Sequence, residues 1–124
     1  MEALLLVDIQ NDFVPGGALA VPDGDAVIPV ANQLMTRYSR VVASQDWHPS
    51  NHRSFAPQHP GYHAGDTVEV NGQPQVLWPT HCVQQTPGSR LCDALATERI
   101  IHYVKKGTDP EIDSYSAFFD NGHL

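Results

Sequence analysis

Apolar positions gather in three short runs, and each run closes on an ionisable residue. Residues 3–8 (ALLLVD) are apolar at successive positions, so both alternating faces are apolar, which predicts a strand covered on both sides. Residues 40–46 (RVVASQD) and 99–106 (RIIHYVKK) predict a second and a third strand. Between the first two, Val27, Val30, Ala31, Leu34, Met35 and Tyr38 recur at helical spacing. They predict a helix over about 26–39 with this stripe buried and Asp25 as its cap. Thr86-Pro87 reads as an N-cap followed by proline at the first helical position, predicting a second helix that runs to about Thr97. The remaining segments carry turn chemistry: a loop over 9–23, an irregular stretch over 47–80, and a loop over 107–124. Inside 47–80, Asn71-Gly72 predicts the turn of a small hairpin.

Strand, helix, strand, helix, strand is the order of a parallel α/β sheet with right-handed crossovers. In such sheets the crevice at the carboxyl ends of the strands receives the ligand. Asp8, Asp46 and Lys106 all close predicted strands, so one edge of one sheet carries three ionisable groups. That coincidence points to a site.

Composition narrows the class. With 124 residues, 41% hydrophobic and 17% charged, the chain has the profile of one globular domain. A net charge of -7, with 7 scattered Lys and Arg, gives no basic face for nucleic acid. No apolar run approaches the roughly 20 residues of a membrane span. The short apolar stretch after Met1-Glu2 does not fit a signal peptide, and a cytoplasmic setting is expected. Cys82 and Cys92 are too few for a disulfide framework and read as reduced packing thiols.

The 7 histidines matter by position. In QDWHP, Asp46 and His48 are two apart just past a strand and share a face if the segment stays extended. With His81 from WPTHCV they form a carboxylate–imidazole set for one divalent ion: zinc, manganese or iron(II). The competing reading is a turn-capping Asp46 and an exposed loop His48. His52, one helical turn past His48, is either a fourth ligand or a hydrogen-bonding loop histidine. His59 and His63 read as solvated, and His102 as a core or crevice residue. Asp8 is either a turn-holding residue or a general base whose proton affinity partial burial raises. Asp12 reads as a turn cap. Lys106 either keeps Asp8 ionised or is a solvated strand end, and Lys105 reads as solvated.

Taken together, LLLVDIQNDF, SQDWHP, NHRSFA, LWPTHCVQ and KKGTDPEIDSYSAFFDN closely resemble the nicotinamidase/pyrazinamidase branch of the isochorismatase-like cysteine hydrolases, from Leu4 to Gly122. The resemblance implies a three-layer α/β/α fold with a parallel sheet. It also implies metal-dependent hydrolysis of nicotinamide to nicotinate and ammonia through a cysteine thioester, a step of NAD salvage. It implies Asp8 as base, Lys106 as its triad partner, Asp46, His48 and His81 as metal ligands with His52 an additional candidate, and Phe13, Trp78 and Tyr115 as walls around the pyridine ring. In that family the nucleophilic cysteine lies downstream of SYSAFFDN. Cys82 and Cys92 do not match its motif, so residues 1–124 are expected to be the N-terminal part of one domain and inactive alone. An open edge on the first strand is expected to need a companion chain or a second copy to complete the sheet. Two alternatives stand beside this reading: a related amidase, or a shortened non-catalytic metal-binding relative.

Overall fold

A computed structural model describes residues 1–123 of the chain. Its elements are β1 (Leu4–Val7), α1 (Val27–Met35), β2 (Val41–Asp46), β3 (Thr67–Val70), β4 (Gln73–Val76) and β5 (His102–Lys106). β1, β2 and β5 form a parallel sheet in the order β1-β2-β5. Register aligns Val7 with Ser44 and Asp46 with Lys106, which brings the strand ends to one edge. The hairpin forms where Asn71-Gly72 predicts it, pairing β3 with β4. Both turn residues take positive φ, 52° at Asn71 and 78° at Gly72, the geometry a two-residue hairpin turn requires.

The core lies on one face of the sheet. Leu6, Val41 and Ala43 pack against Ile28, Ala31 and Met35 of α1 and against Cys92, Leu95 and Ile100. The expected cover on both sides of β1 is not found among the described residues: Leu5 and Val7 are exposed at 38% and 59%. α1 is shorter than expected and differently phased. Ile28, Ala31 and Met35 are its buried positions, while Val27 and Val30 overhang the free edge of β1 and stay exposed. With Leu4, Leu34 and Val21 they line an apolar groove of about 420 Å³ along that edge. Asp25 does not cap the helix; it lies inside a short 3-10 turn, Gly24–Ala26, that precedes α1.

The predicted second helix does not form. Residues 86–100 hold only 3-10 turns at Pro87–Ser89 and Thr97–Arg99. Their backbone groups are committed elsewhere. Cys92 donates to Ile9 O at 3.0 Å, and Gln10 bridges Leu91 in antiparallel fashion. Thr86 bonds Val83 O rather than capping, at 2.6 Å. Asn32 of α1 clamps the segment, donating to Ala94 O at 2.9 Å and accepting from Ala96 N at 2.8 Å. His102 is exposed on β5 rather than in the core or crevice. No helix among the described residues is long and apolar enough to cross a membrane.

Candidate metal centre and carboxylate–lysine site

Asp8 follows β1 with φ 54°, a left-handed conformation that turns the chain out of the sheet after its N–H has bonded Ser44 O at 3.2 Å. One carboxylate oxygen accepts the Ser44 hydroxyl at 2.7 Å, and the other meets Lys106 Nζ at 2.9 Å. Lys106 is buried and also bonds Asp46 Oδ1, while donating to Ser114 O at 3.2 Å. Its ammonium is therefore shared by two carboxylates rather than resting beside Asp8 alone. Burial opposes that charge, but Asp46 and then Asp8 outweigh it and raise the lysine above its ordinary range.

The second oxygen of Asp46 faces two imidazoles, 3.6 Å from His48 Nε2 and 3.6 Å from His81 Nε2. Each Nδ1 meets a carbonyl, Gly107 O at 2.8 Å for His48 and Pro79 O at 2.7 Å for His81. A carbonyl can only accept, so each Nδ1 carries its proton and each Nε2 directs a lone pair, or a second proton, toward Asp46. Phe55, fully buried, packs against both rings with centroids at 5.5 and 5.4 Å and keeps water from the back of the cluster. Burial alone would raise Asp46, but His48, His81 and Lys106 hold its carboxyl far below the usual range. Burial likewise works against a charged His48, and Asp46 reverses the balance and raises it. Ligand atoms of Asp46, His48 and His81 lie within 4.8 Å of one another, a donor set that fits a small divalent cation.

His52 joins a second grouping, with His48 and Asp113. Its Nδ1 accepts the Ser54 N–H at 3.2 Å, so its proton sits on Nε2, facing Ile112 O at 3.3 Å. In that tautomer Nε2 has no lone pair for an ion, which favours the hydrogen-bonding role over the ligand one. Burial, followed by the charge of His48, lowers its proton affinity. Of the remaining histidines, His63 is exposed, while His59 is half-buried with Nε2 at 2.7 Å from Arg53 O.

Gly107 makes the cluster sensitive to a single methyl group. Its φ is 64°, and a Cβ built there lies 2.4 Å from Cε1 of His48. Gly107→Ala is expected to displace that ring and destabilise the fold by about 2–4 kcal/mol, combining overpacking with the left-handed penalty. Thermal denaturation checks this; a midpoint within 2 °C of the parent, taken as about 0.5 kcal/mol, contradicts it.

Phe13, Trp78 and Tyr115 line a pocket of about 190 Å³ together with Asp8, Asp46, His81 and Lys106. Phe13 lies 5.7 Å from the His81 ring, and Trp78 meets Tyr115 edge-on at 6.5 Å. Leu19, Asp113 and Ser114 complete the wall, residues the sequence patterns do not single out. Asp12 does more than cap its turn. It accepts the Cys82 N–H at 2.7 Å and the Ala18 N–H at 3.1 Å, tying the Phe13 turn to the His81 loop. Both cysteines are free and buried. Burial, then Asp46, Asp12 and Asp8, push the Cys82 thiol far up, and burial raises Cys92 as well. Lys105 is not simply solvated; its ammonium sits 4.0 Å from the centre of the Trp47 ring.

Comparison with known proteins agrees with this architecture. An E. coli nicotinamidase is 53% identical over 125 residues, covering 98% of this chain and 58% of the relative. The solved nicotinamidase/pyrazinamidase of Acinetobacter baumanii superposes with a TM-score of 0.94 at 47% identity, covering 98% of this chain and 59% of that one. A Pyrococcus horikoshii pyrazinamidase solved in complex with zinc gives 0.70 at 38% identity, covering 94% and 57%. The chain thus spans about three-fifths of the length of the relatives it matches. The isochorismatase domain model matches residues 2–121, nearly the whole of a chain whose sheet edge gathers two acids, a lysine and an imidazole pair, and the chain belongs to that family.

Proposed function

We propose that the domain to which residues 1–124 contribute the N-terminal part hydrolyses nicotinamide to nicotinate and ammonia, using one divalent metal ion, preferably zinc, and a cysteine nucleophile from outside these residues. The observation that carries this reading is the placement of Asp8, Lys106, Asp46 and His81 around one small pocket with aromatic walls, with His48 within ligand reach of Asp46 and His81. Kinship with nicotinamidases supports the substrate, and the zinc-bound pyrazinamidase supports the metal.

In this reading Asp46, His48 and His81 hold the ion, and Phe13, Trp78 and Tyr115 confine the pyridine ring. When bound, the metal supplies a Lewis-acid contact for the ring nitrogen and so orients the carboxamide. Lys106 holds the Asp8 carboxylate in place through their 2.9 Å ion pair, and Asp8 takes the thiol proton. The sulfur adds to the carboxamide carbon, the C–N bond breaks, and ammonia leaves with that proton. Water then hydrolyses the thioester and releases nicotinate. Neither Cys82 nor Cys92 suits the nucleophile's role, because burial suppresses the thiolate of both.

Two measurements test the reading. Nicotinamide is expected to change the visible spectrum of the cobalt-loaded chain, whereas benzamide, which lacks the ring nitrogen, leaves it unchanged. Equal responses to the two amides contradict the assigned substrate contact. The 124-residue chain is expected to release no ammonia from nicotinamide, and turnover by that chain contradicts the external nucleophile.

A further inference from the structure

Gln10 is a fully buried side chain with both ends of its amide hydrogen-bonded, and the chemistry above leaves it without a role. It is fully buried, 0% exposed, two residues past Asp8. Its Oε1 accepts the Asp46 N–H at 2.8 Å, and its Nε2 donates to Asp46 O at 2.9 Å and to Ser89 O at 2.8 Å. Both amide protons are spent, and the carbonyl is bound.

The backbone explains why a side chain is needed there. The β1–β2 ladder ends with the Asp8 N–H on Ser44 O, because the left-handed turn at Asp8 carries the chain out of the sheet. Two residues on from Ser44, Asp46 again directs its N–H and C=O toward the β1 side, where no backbone remains to pair with them. The Gln10 carboxamide takes the place of the missing peptide unit. On the opposite side β5 pairs Asp46 with Lys106, and Trp47 N bonds Lys106 O at 2.9 Å. The Asp46 peptide is thus held from both sides.

That grip matters because the two oxygens of Asp46 do different work. Oδ1 meets Lys106, and Oδ2 faces His48 and His81. A tilt of the Asp46 peptide moves one oxygen away from its partner as it brings the other closer. We infer that Gln10 is a positioning residue for the metal centre: by completing the β1–β2 ladder with its side chain, it aims the Asp46 carboxylate so that one oxygen serves the ion and the other serves Lys106. This rests on the reading of Asp46 as a metal ligand.

The test compares Gln10→Met, a variant of similar length without polar atoms, Gln10→Glu, and Met35→Ala in the core far from the cluster. Zinc affinity is measured by competition with a chromophoric chelator, geometry by the visible spectrum of the cobalt-loaded chain, and peptide grip by hydrogen exchange at the Asp46 amide. Gln10→Met is expected to weaken zinc binding about 10- to 100-fold, the usual effect of losing a group that orients a ligand. It is also expected to alter the cobalt spectrum and to speed exchange at Asp46. Met35→Ala lowers the thermal midpoint but leaves zinc affinity and spectrum at parent values, which separates positioning from general loss of stability. If Gln10→Met does not fold, Gln10→Glu decides by the same readouts, since it lacks the two amide donors. Parent-like affinity and an unchanged spectrum in the folded Gln10 variant overturn the inference. A parent chain that takes up no zinc overturns the metal reading and this inference with it, a failure seen before any variant is measured.

Discussion

Lys106→Met is expected to lower the thermal midpoint by about 10–20 °C near neutral pH, the largest effect of any single substitution at this site. The substitution leaves Asp8 and Asp46 without the ammonium they share. Removing one partner from a buried charge cluster costs about 3–5 kcal/mol, because the remaining charge is uncompensated. For a chain of this size, that loss converts to the midpoint shift given. The pH dependence follows from the directions of the shifts. Asp46 is depressed in the folded chain, so its contribution is present above the unfolded carboxylate value of about 4 and is lost as pH falls through the folded value. Lys106 is raised, so its contribution is present below about pH 10.4 and is lost as pH rises through its folded value. The deficit of Lys106→Met is therefore widest between about pH 5 and 9 and shrinks in acid, where protonation relieves the unpaired carboxylates. Lys106→Met combined with Asp46→Asn is expected to recover part of the loss by removing one of the two charges. A Lys106→Met midpoint equal to the parent at pH 7 contradicts the shared-ammonium geometry.

Purified chain is expected to carry about one zinc, manganese or iron ion, and His81→Ala to reduce this to less than about one-tenth of an ion. His81 comes from a loop remote in sequence from Asp46 and His48, so its imidazole is removable without altering the β2 strand that presents the other ligands. The remaining pair is too few for a structural or catalytic zinc site, which takes three or four protein ligands. Zinc at 100 times its dissociation constant is expected to stabilise the parent by about 2.7 kcal/mol and to leave His81→Ala unchanged. Metal analysis and paired thermal scans read both effects. Unchanged metal content in His81→Ala overturns the ligand assignment, whatever happens to stability.

Much of this was legible because strand patterning is local. Apolar runs ending at Asp8, Asp46 and Lys106 predict parallel strands whose ends meet, and sheet register delivers that meeting. Asn71-Gly72 predicts its hairpin for an equally local reason, since few other residue pairs accept positive φ twice in succession. The helix expected from Thr86-Pro87 failed on a non-local ground. A cap signal states what a segment prefers in isolation, and here Ile9, Gln10 and Asn32 offered its backbone other partners.

What the chain's linear pattern determined by itself was the sheet class and the identity of the ionisable groups at one edge. Side-chain chemistry and period-two patterning are properties of neighbouring residues. What only the tertiary structure decided was the division of labour among those groups. Lys106 is shared between two acids, the His48 and His81 tautomers are set by Gly107 and Pro79 carbonyls, and Gln10 replaces a peptide unit beside Asp46. Each of these depends on atoms 30 or more residues apart meeting at hydrogen-bond distance, apart from the adjacent Pro79 carbonyl. No local pattern encodes such meetings, because they arise only once burial has excluded water and left each polar group to find a partner within the fold.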